Sequence, residues 1–292
     1  MHLRFLGSVN LIRFIALIFF IYLISSCSSD EAILEEQQEQ AEDPTINPED
    51  RLPQVLVNTN GGTIVDEPKI PALMTISEQG IVTYDGNIGI EIRGASSQMF
   101  PKKSYGVETW DANNEDINVS LLGLPEEEDW VFYAPYSDKS LLRNILIYDL
   151  SRDIGRYASR SLFVELSINE AFKGVYVFME KLKRDSQRID INKLSSDEVS
   201  GEDLTGGYIL KIDKTAGSNL GEGYNNQNSF SSAYAPPDAT TGQEIYFLYE
   251  YPDAEDITPE QKVYISTYIS DFEDALSSDN FADPDTGYAA YI

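Results

Sequence analysis

Ile90-Glu91-Ile92-Arg93-Gly94-Ala95-Ser96-Ser97-Gln98-Met99-Phe100-Pro101-Lys102-Lys103-Ser104-Tyr105 is the most informative stretch of this chain. Alternating β-branched residues lead into a small, hydroxyl-rich loop, and two lysines then enter a second strand-like run, Ser104 to Trp110. Loop amides and hydroxyls of this kind can donate to phosphate oxygens while lysine supplies charge. Arg93, Ser96, Ser97, Lys102 and Lys103 are therefore candidate phosphate-binding residues, and a tight turn with solvated lysines is the competing reading. The chain carries 49 Asp plus Glu against 21 Lys plus Arg, a net charge of −28, so three bases within eleven residues stand out.

Outward from this loop, further strand-like runs are Ile88 to Arg93, Leu162 to Ile168, Val175 to Glu180, Tyr208 to Asp213 and Ile245 to Tyr251. The second and third of these, joined by Asn169 to Gly174, read as a hairpin with a longer loop. One helix is predicted from Ser137 or Asp138 as cap to Ile154, with Gly155 ending it. A second follows Thr258-Pro259-Glu260-Gln261, which holds the elements of a capping box with Pro at the first helical position. Residues 215 to 243, rich in Gly, Ser, Asn, Ala and Thr, read as a long surface excursion.

Before Leu52 the composition changes. Residues 1–26 read as a secretory signal whose apolar run, Phe14 to Ile24, is too short to span a bilayer as a helix. Ile24-Ser25-Ser26-Cys27 resembles the lipobox of bacterial lipoproteins, which implies lipid attachment at Cys27 and a mature charge of 19 − 49 = −30. Residues 27–51 follow as an acidic disordered tether, and 52–292 as the folded domain. The only His and the only Cys are His2 and Cys27, so the body is excluded from His- or Cys-dependent catalysis and from disulfides. The acidic balance argues against nucleic acid as a partner.

Several blocks in collinear order resemble the CotH kinase family, named for a spore-coat protein. They are RGASSQMFPKKSYGVE (93–108), LLGLPEEEDWVFYAPYSDKSLLRNILIYDLSRDIG (121–155), RSLFVELSINEAFKGVYVFMEKLKRDSQRIDI (160–191), GGYILKID (206–213) and IYFLYEYPDAEDITPEQKVYISTYISDFEDAL (245–276). The resemblance implies an α+β, atypical protein-kinase-like fold. It also implies use of ATP and a divalent metal such as Mg to phosphorylate Ser or Thr on secreted or surface proteins.

Carried onto this chain, the Arg93 to Lys103 loop would cover the phosphates, with Lys103 or Lys102 gripping them. Arg143 and Asn144 would point either at the nucleotide or at the next element, and Met179-Glu180-Lys181 would lie near the crossing between lobes. Against this stand simpler roles: a surface ion pair for Arg143, and a solvated strand end for Glu180, Lys181, Lys183 and Arg184. The family's acidic metal ligands and catalytic aspartate fall beyond Ile292, so the domain is expected to be incomplete and inactive, with no catalytic or metal-binding residue assigned within it. The competing function is a lipid-anchored surface binding or adhesion module, or a pseudokinase. Either way the expected location is the bacterial cell envelope, exported and lipid-anchored.

Overall fold

A computed structural model describes residues 51–215 and 223–291. The signal sequence, Cys27 and most of the tether lie outside the described residues, as does part of the 215–243 excursion. Residues Leu52–Ile292 form one compact unit.

Seven strands make a closed barrel: β1 (Gln54–Asn58), β2 (Ile70–Glu78), β3 (Ile81–Arg93), β4 (Ser104–Trp110), β5 (Asp129–Tyr133), β6 (Ser161–Ile168) and β7 (Ala171–Glu180). Their order around the barrel is β1-β2-β3-β4-β5-β7-β6. Neighbours are antiparallel except at the closure, where β1 runs parallel to β6 with Gln54 opposite Glu165. Alternation along each strand sends one set of side chains inward. Val55, Val57, Met74, Ile76, Ile88, Ile90, Val107, Trp130, Phe132, Val164, Leu166, Tyr176 and Phe178 are all nearly inaccessible and form one cluster. Trp130 and Phe132 each lie against Phe178, with ring centroids 5.1 and 5.2 Å apart.

This closure corrects the expectation of a protein-kinase-like fold. A kinase has two lobes around a nucleotide cleft, whereas here the sheet meets its own edge and fills its interior with side chains. Helices are few: α1 (Arg143–Asp153) and α2 (Pro259–Ser277). The remaining strands, β8 (Ile209–Lys211), β9 (Ser229–Ser231) and β10 (Tyr246–Tyr251), form a separate three-stranded sheet in the order β8-β10-β9. That sheet packs with α2 through Tyr249, Ile257 and Ile265.

Local chemistry explains both helix starts. At α2 the capping box forms as the sequence indicates: Gln261 N–H donates to Thr258 Oγ1 and Thr258 N–H donates to Gln261 Oε1. At α1 the helix begins five residues after Asp138, because Leu141 takes a left-handed φ of 62°. Asp138 still serves that end, its Oδ2 accepting the Arg143 N–H at 2.9 Å. The β6–β7 connection is shorter than its sequence suggests. Asn169 and Glu170, at φ of 50° and 65°, make a two-residue turn of the type that matches strand twist.

Trp110 lies across Gly89 on the barrel's outer face, so a Cβ there would sit 2.1 Å from the indole Cζ2. Gly89→Ala should therefore destabilise the domain by about 1–3 kcal/mol, the usual cost of overpacking. The check is the urea midpoint; an unchanged midpoint would show that the indole swings aside freely.

Candidate functional site

The outer end of the β5–β7 pair carries the densest charge in the fold. Glu127, Glu128 and Asp129 lead into β5 and bring one carboxylate oxygen each within 4.8 Å of the others. Such an oxygen set could coordinate a hard divalent cation. In this fold Lys183, three residues past β7, takes that position instead. Its Nζ lies 2.6 Å from Glu127 Oε1, 2.6 Å from Glu128 Oε1 and 2.9 Å from Asp129 Oδ2. A metal and this ammonium cannot share the same three oxygens, so the triplet does not fit a resident ion while Lys183 is in place.

The titration behaviour follows from this packing. Burial works against the Lys183 charge, but the three carboxylates outweigh it and raise its pKa. Burial likewise opposes ionisation of Asp129, yet Lys181 and Lys183 hold its pKa below the usual value. Glu128 is also lowered, burial being outweighed by Lys183. At Glu127 burial wins over Lys183 and Arg188, and its pKa is raised.

Beside this cluster, Glu180 ends β7 with its side chain wholly inaccessible. Its carboxylate accepts from Arg160 Nε at 3.0 Å, Arg160 N–H at 2.9 Å and Tyr157 O–H at 3.1 Å, and is paired with the second guanidinium nitrogen of Arg160 at 2.6 Å. Arg188, also buried, donates to the carbonyls of Lys181 and Asp129, pairs with Glu127 at 3.2 Å and stacks over Trp130. Both carboxylate oxygens of Glu180 thus have partners within the protein. Lys181 points the other way, with its Nζ 2.9 Å from Asp129 Oδ1 and its side chain 42% exposed.

The Gly94 to Lys103 loop folds down onto the end of the barrel. Ser96 and Ser97 begin a single 3-10 turn, Ser96–Met99, and Ser97 Oγ lies against Gly94, where φ is 98°. Lys103 Nζ donates to the Gln98 carbonyl. Lys102 Nζ donates to the Val175 carbonyl and sits 4.4 Å over the Tyr176 ring. Burial lowers the Lys102 pKa. Phe100 stacks on Tyr136 at 5.1 Å and fastens the loop to the segment after β5. Arg143, at the start of α1, is 82% exposed and approaches only Asp138, at 3.6 Å. The sequence-derived site residues are thus dispersed: the lysines cap the barrel end, Glu180 and Lys181 belong to the charge network, and Arg143 stands on a helix in solvent.

Arg93 behaves differently. It ends β3 on the outer face and reaches solvent, yet it has no ion pair or side-chain hydrogen bond among the described residues. Surrounding protein desolvates it and lowers its pKa, against the opposing fields of Glu91, Asp129, Tyr148 and Glu250. Glu250, from β10, also lines a cavity of about 250 Å³ together with Lys183, Arg184, Ile209 and Tyr251. Arg184 lies 5.3 Å over the Tyr251 ring and has no carboxylate partner among the described residues.

The acidic triplet is not singled out by the sequence, where Glu126-Glu127-Glu128-Asp129 is an acidic run with no base beside it. Its partner Lys183 lies more than 50 residues away, and nothing local announces the pairing. Parity did mark Glu180. Tyr176, Phe178 and Glu180 share one face of β7, and the first two are core residues.

A family model described as CotH kinase protein matches residues 90–292. The chain belongs to the CotH family. It is similar to "Inner spore coat protein H" of Bacillus subtilis (strain 168), at 25% identity over 123 residues, covering 41% of this chain and 29% of that protein. The match thus spans less than a third of that relative. Family membership does not restore the kinase expectation. The described fold is a packed barrel without a two-lobed ATP cleft, and the acidic cluster found among the described residues is already paired with Lys183, Lys181 and Arg188. Phosphotransferase activity, ATP binding and the transferase assignment are all corrected on that ground. No described helix is long and apolar enough to cross a membrane. The described fold lends no support to membrane attachment, and the lipid site expected at Cys27 lies outside it.

Proposed function

We propose that this chain is a non-catalytic binding module of the CotH family, and that it takes an anionic group in the cleft between the barrel and the three-stranded sheet. One observation carries the reading. In a chain with 49 acids against 21 bases, Arg184 lines the Glu250 cavity without a carboxylate partner among the described residues, and Arg93, also without an ion pair among them, feels the field of the same Glu250. Guanidinium groups held this way suit the planar, bidentate recognition of phosphate or carboxylate. Lys183 contributes field but not contact, because its ammonium is already committed to three carboxylates.

The test uses inorganic pyrophosphate and citrate as probes, followed by calorimetry and by thermal shift. Binding that weakens with salt is expected, with Arg93→Gln plus Arg184→Gln losing about tenfold or more in affinity. Pyrophosphate should be bound and left intact. Absence of binding of either probe at millimolar concentration would overturn the reading, as would binding unchanged in the double variant.

A further inference from the structure

Helix α1 presents two apolar faces, and the barrel uses only one. Ile145 and Tyr148 pack against Val131, Val177 and Met179. On the opposite side Leu142, Leu146, Leu150 and Ile154 are 50, 67, 53 and 70% exposed, and Ile147 adds a fifth large aliphatic at 57%. Scattered exposed leucines need no explanation, but a continuous row on one helix does.

The row has a symmetry of its own. Its members are four residues apart, forming a single i±4 ridge of the kind that packs into the matching groove of another helix. Turned end for end about a point level with Tyr148, the ridge maps onto itself: Leu142 exchanges with Ile154 and Leu146 with Leu150. The same two-fold exchanges Arg143 with Asp153. Arg143 is 82% exposed with only a 3.6 Å contact to Asp138, and Asp153 has no ion pair among the described residues. Both charges are therefore available to a partner.

We infer that this face of α1 docks on the same face of a second copy, as an antiparallel helix pair about a two-fold axis. An isologous interface requires a self-complementary patch, and here both the apolar ridge and the flanking charge meet that requirement. A lipid surface fits less well. An interfacial helix that binds anionic bilayers is rich in Lys and Arg on its polar face, whereas α1 balances Arg143 and Arg152 with Asp149 and Asp153. One short helix per copy places the contact at the small end of specific interfaces, so the dimer dissociates on dilution. The charge pairs at each end fix the register.

Sedimentation velocity on the full chain, over a range of concentrations, tests this. A reversible monomer–dimer equilibrium is expected, and Leu146→Asp should leave only monomer. Arg143→Asp alone, or Asp153→Arg alone, sets like charges opposite each other twice per dimer and should weaken association about tenfold or more. The double variant Arg143→Asp with Asp153→Arg restores opposite charges across the axis and should return association to near the original. These positions are exposed, and circular dichroism confirms that each variant is folded. A monomer at every concentration overturns the inference. So does assembly that all four variants leave unchanged, which would place the contact elsewhere in the chain. Single swaps that weaken association without rescue in the double variant would overturn the antiparallel pairing.

Discussion

Glu180→Ala should lower the stability of the domain by about 3–5 kcal/mol, the cost of breaking a buried ion pair and leaving its partner behind. The carboxylate is inaccessible and serves Arg160, the Arg160 backbone and Tyr157 together. Alanine would leave a half-buried phenol and part of a guanidinium without their acceptor, beside the wholly buried Arg188. The Tyr157 pKa, raised by burial and by the Glu180 charge, should fall toward its ordinary value in any variant that still folds. Glu180→Gln keeps the shape and one acceptor oxygen, and should cost about 1–3 kcal/mol. Denaturant midpoints at a common slope measure both. Equal stability of the wild type and Glu180→Ala would mean that the network is solvated after all.

Lys183→Met is the second large effect, about 2–4 kcal/mol near neutral pH, discounted from the fully buried case because the side chain is 28% exposed. Without the ammonium, three carboxylates confront each other with only Lys181 and Arg188 to offset them. The pH dependence has a definite sign. The depressed pKa values of Asp129 and Glu128 mean that their contribution is present above the unfolded values of 3.8 and 4.5, and is lost as pH falls through the folded values. The raised Lys183 pKa adds stability that is complete below 10.5 and disappears only in strong alkali. In Lys183→Met the carboxylates instead gain by taking up protons, so the gap to the wild type should narrow as pH falls from 7 toward about 4. The variant also frees the oxygen set for a divalent cation. Millimolar calcium should raise its melting temperature while leaving the wild type unmoved; an equal rise in both would place the ion elsewhere.

Much of the barrel was legible from the chain alone. Ser104–Trp110 was recognisable because its inward and outward positions differ in kind, and the capping box of α2 because it depends on four adjacent residues. β1 and β2 were missed. Leu56 and Leu73 are apolar yet point outward, 52% and 45% exposed, which blurs the alternation that marks a half-buried strand. β5 was missed because five residues between an acidic run and Ala134-Pro135 give too short a period to read. Without those three strands nothing indicates closure, and the remaining runs suit an open sheet as well as a barrel.

The α2 stripe shows the same boundary. Its Ile265 and Ile269 pack with Tyr249 of the small sheet and with Ile257 in the connection between β10 and α2. The bare apolar row lies on α1 instead. Which face of a helix is covered depends on what arrives from elsewhere in the chain. Likewise, Glu180 reads in the sequence as part of a crossing between lobes or of a solvated strand end, whereas its side chain is inaccessible, and the partners of Glu180 and Lys181 come from residues 127–129, 157–160 and 183–188. Long-range ion pairing leaves no periodic trace.

The parallel seam between β1 and β6 also bears on how the chain is made. Gln54 pairs with Ser77 almost at once, but its other neighbour, Glu165, follows 165 − 54 = 111 residues later. Until that segment emerges, β1 is an unpaired edge with Leu56 facing outward, open to any other strand nearby. Local hairpins form early, whereas the closing contact waits on the longest loop in the barrel and sets the pace of folding. A ribosome stalled short of residue 168 would therefore hold an open, adhesive sheet, and one stalled beyond residue 180 and clear of the exit tunnel a sealed one.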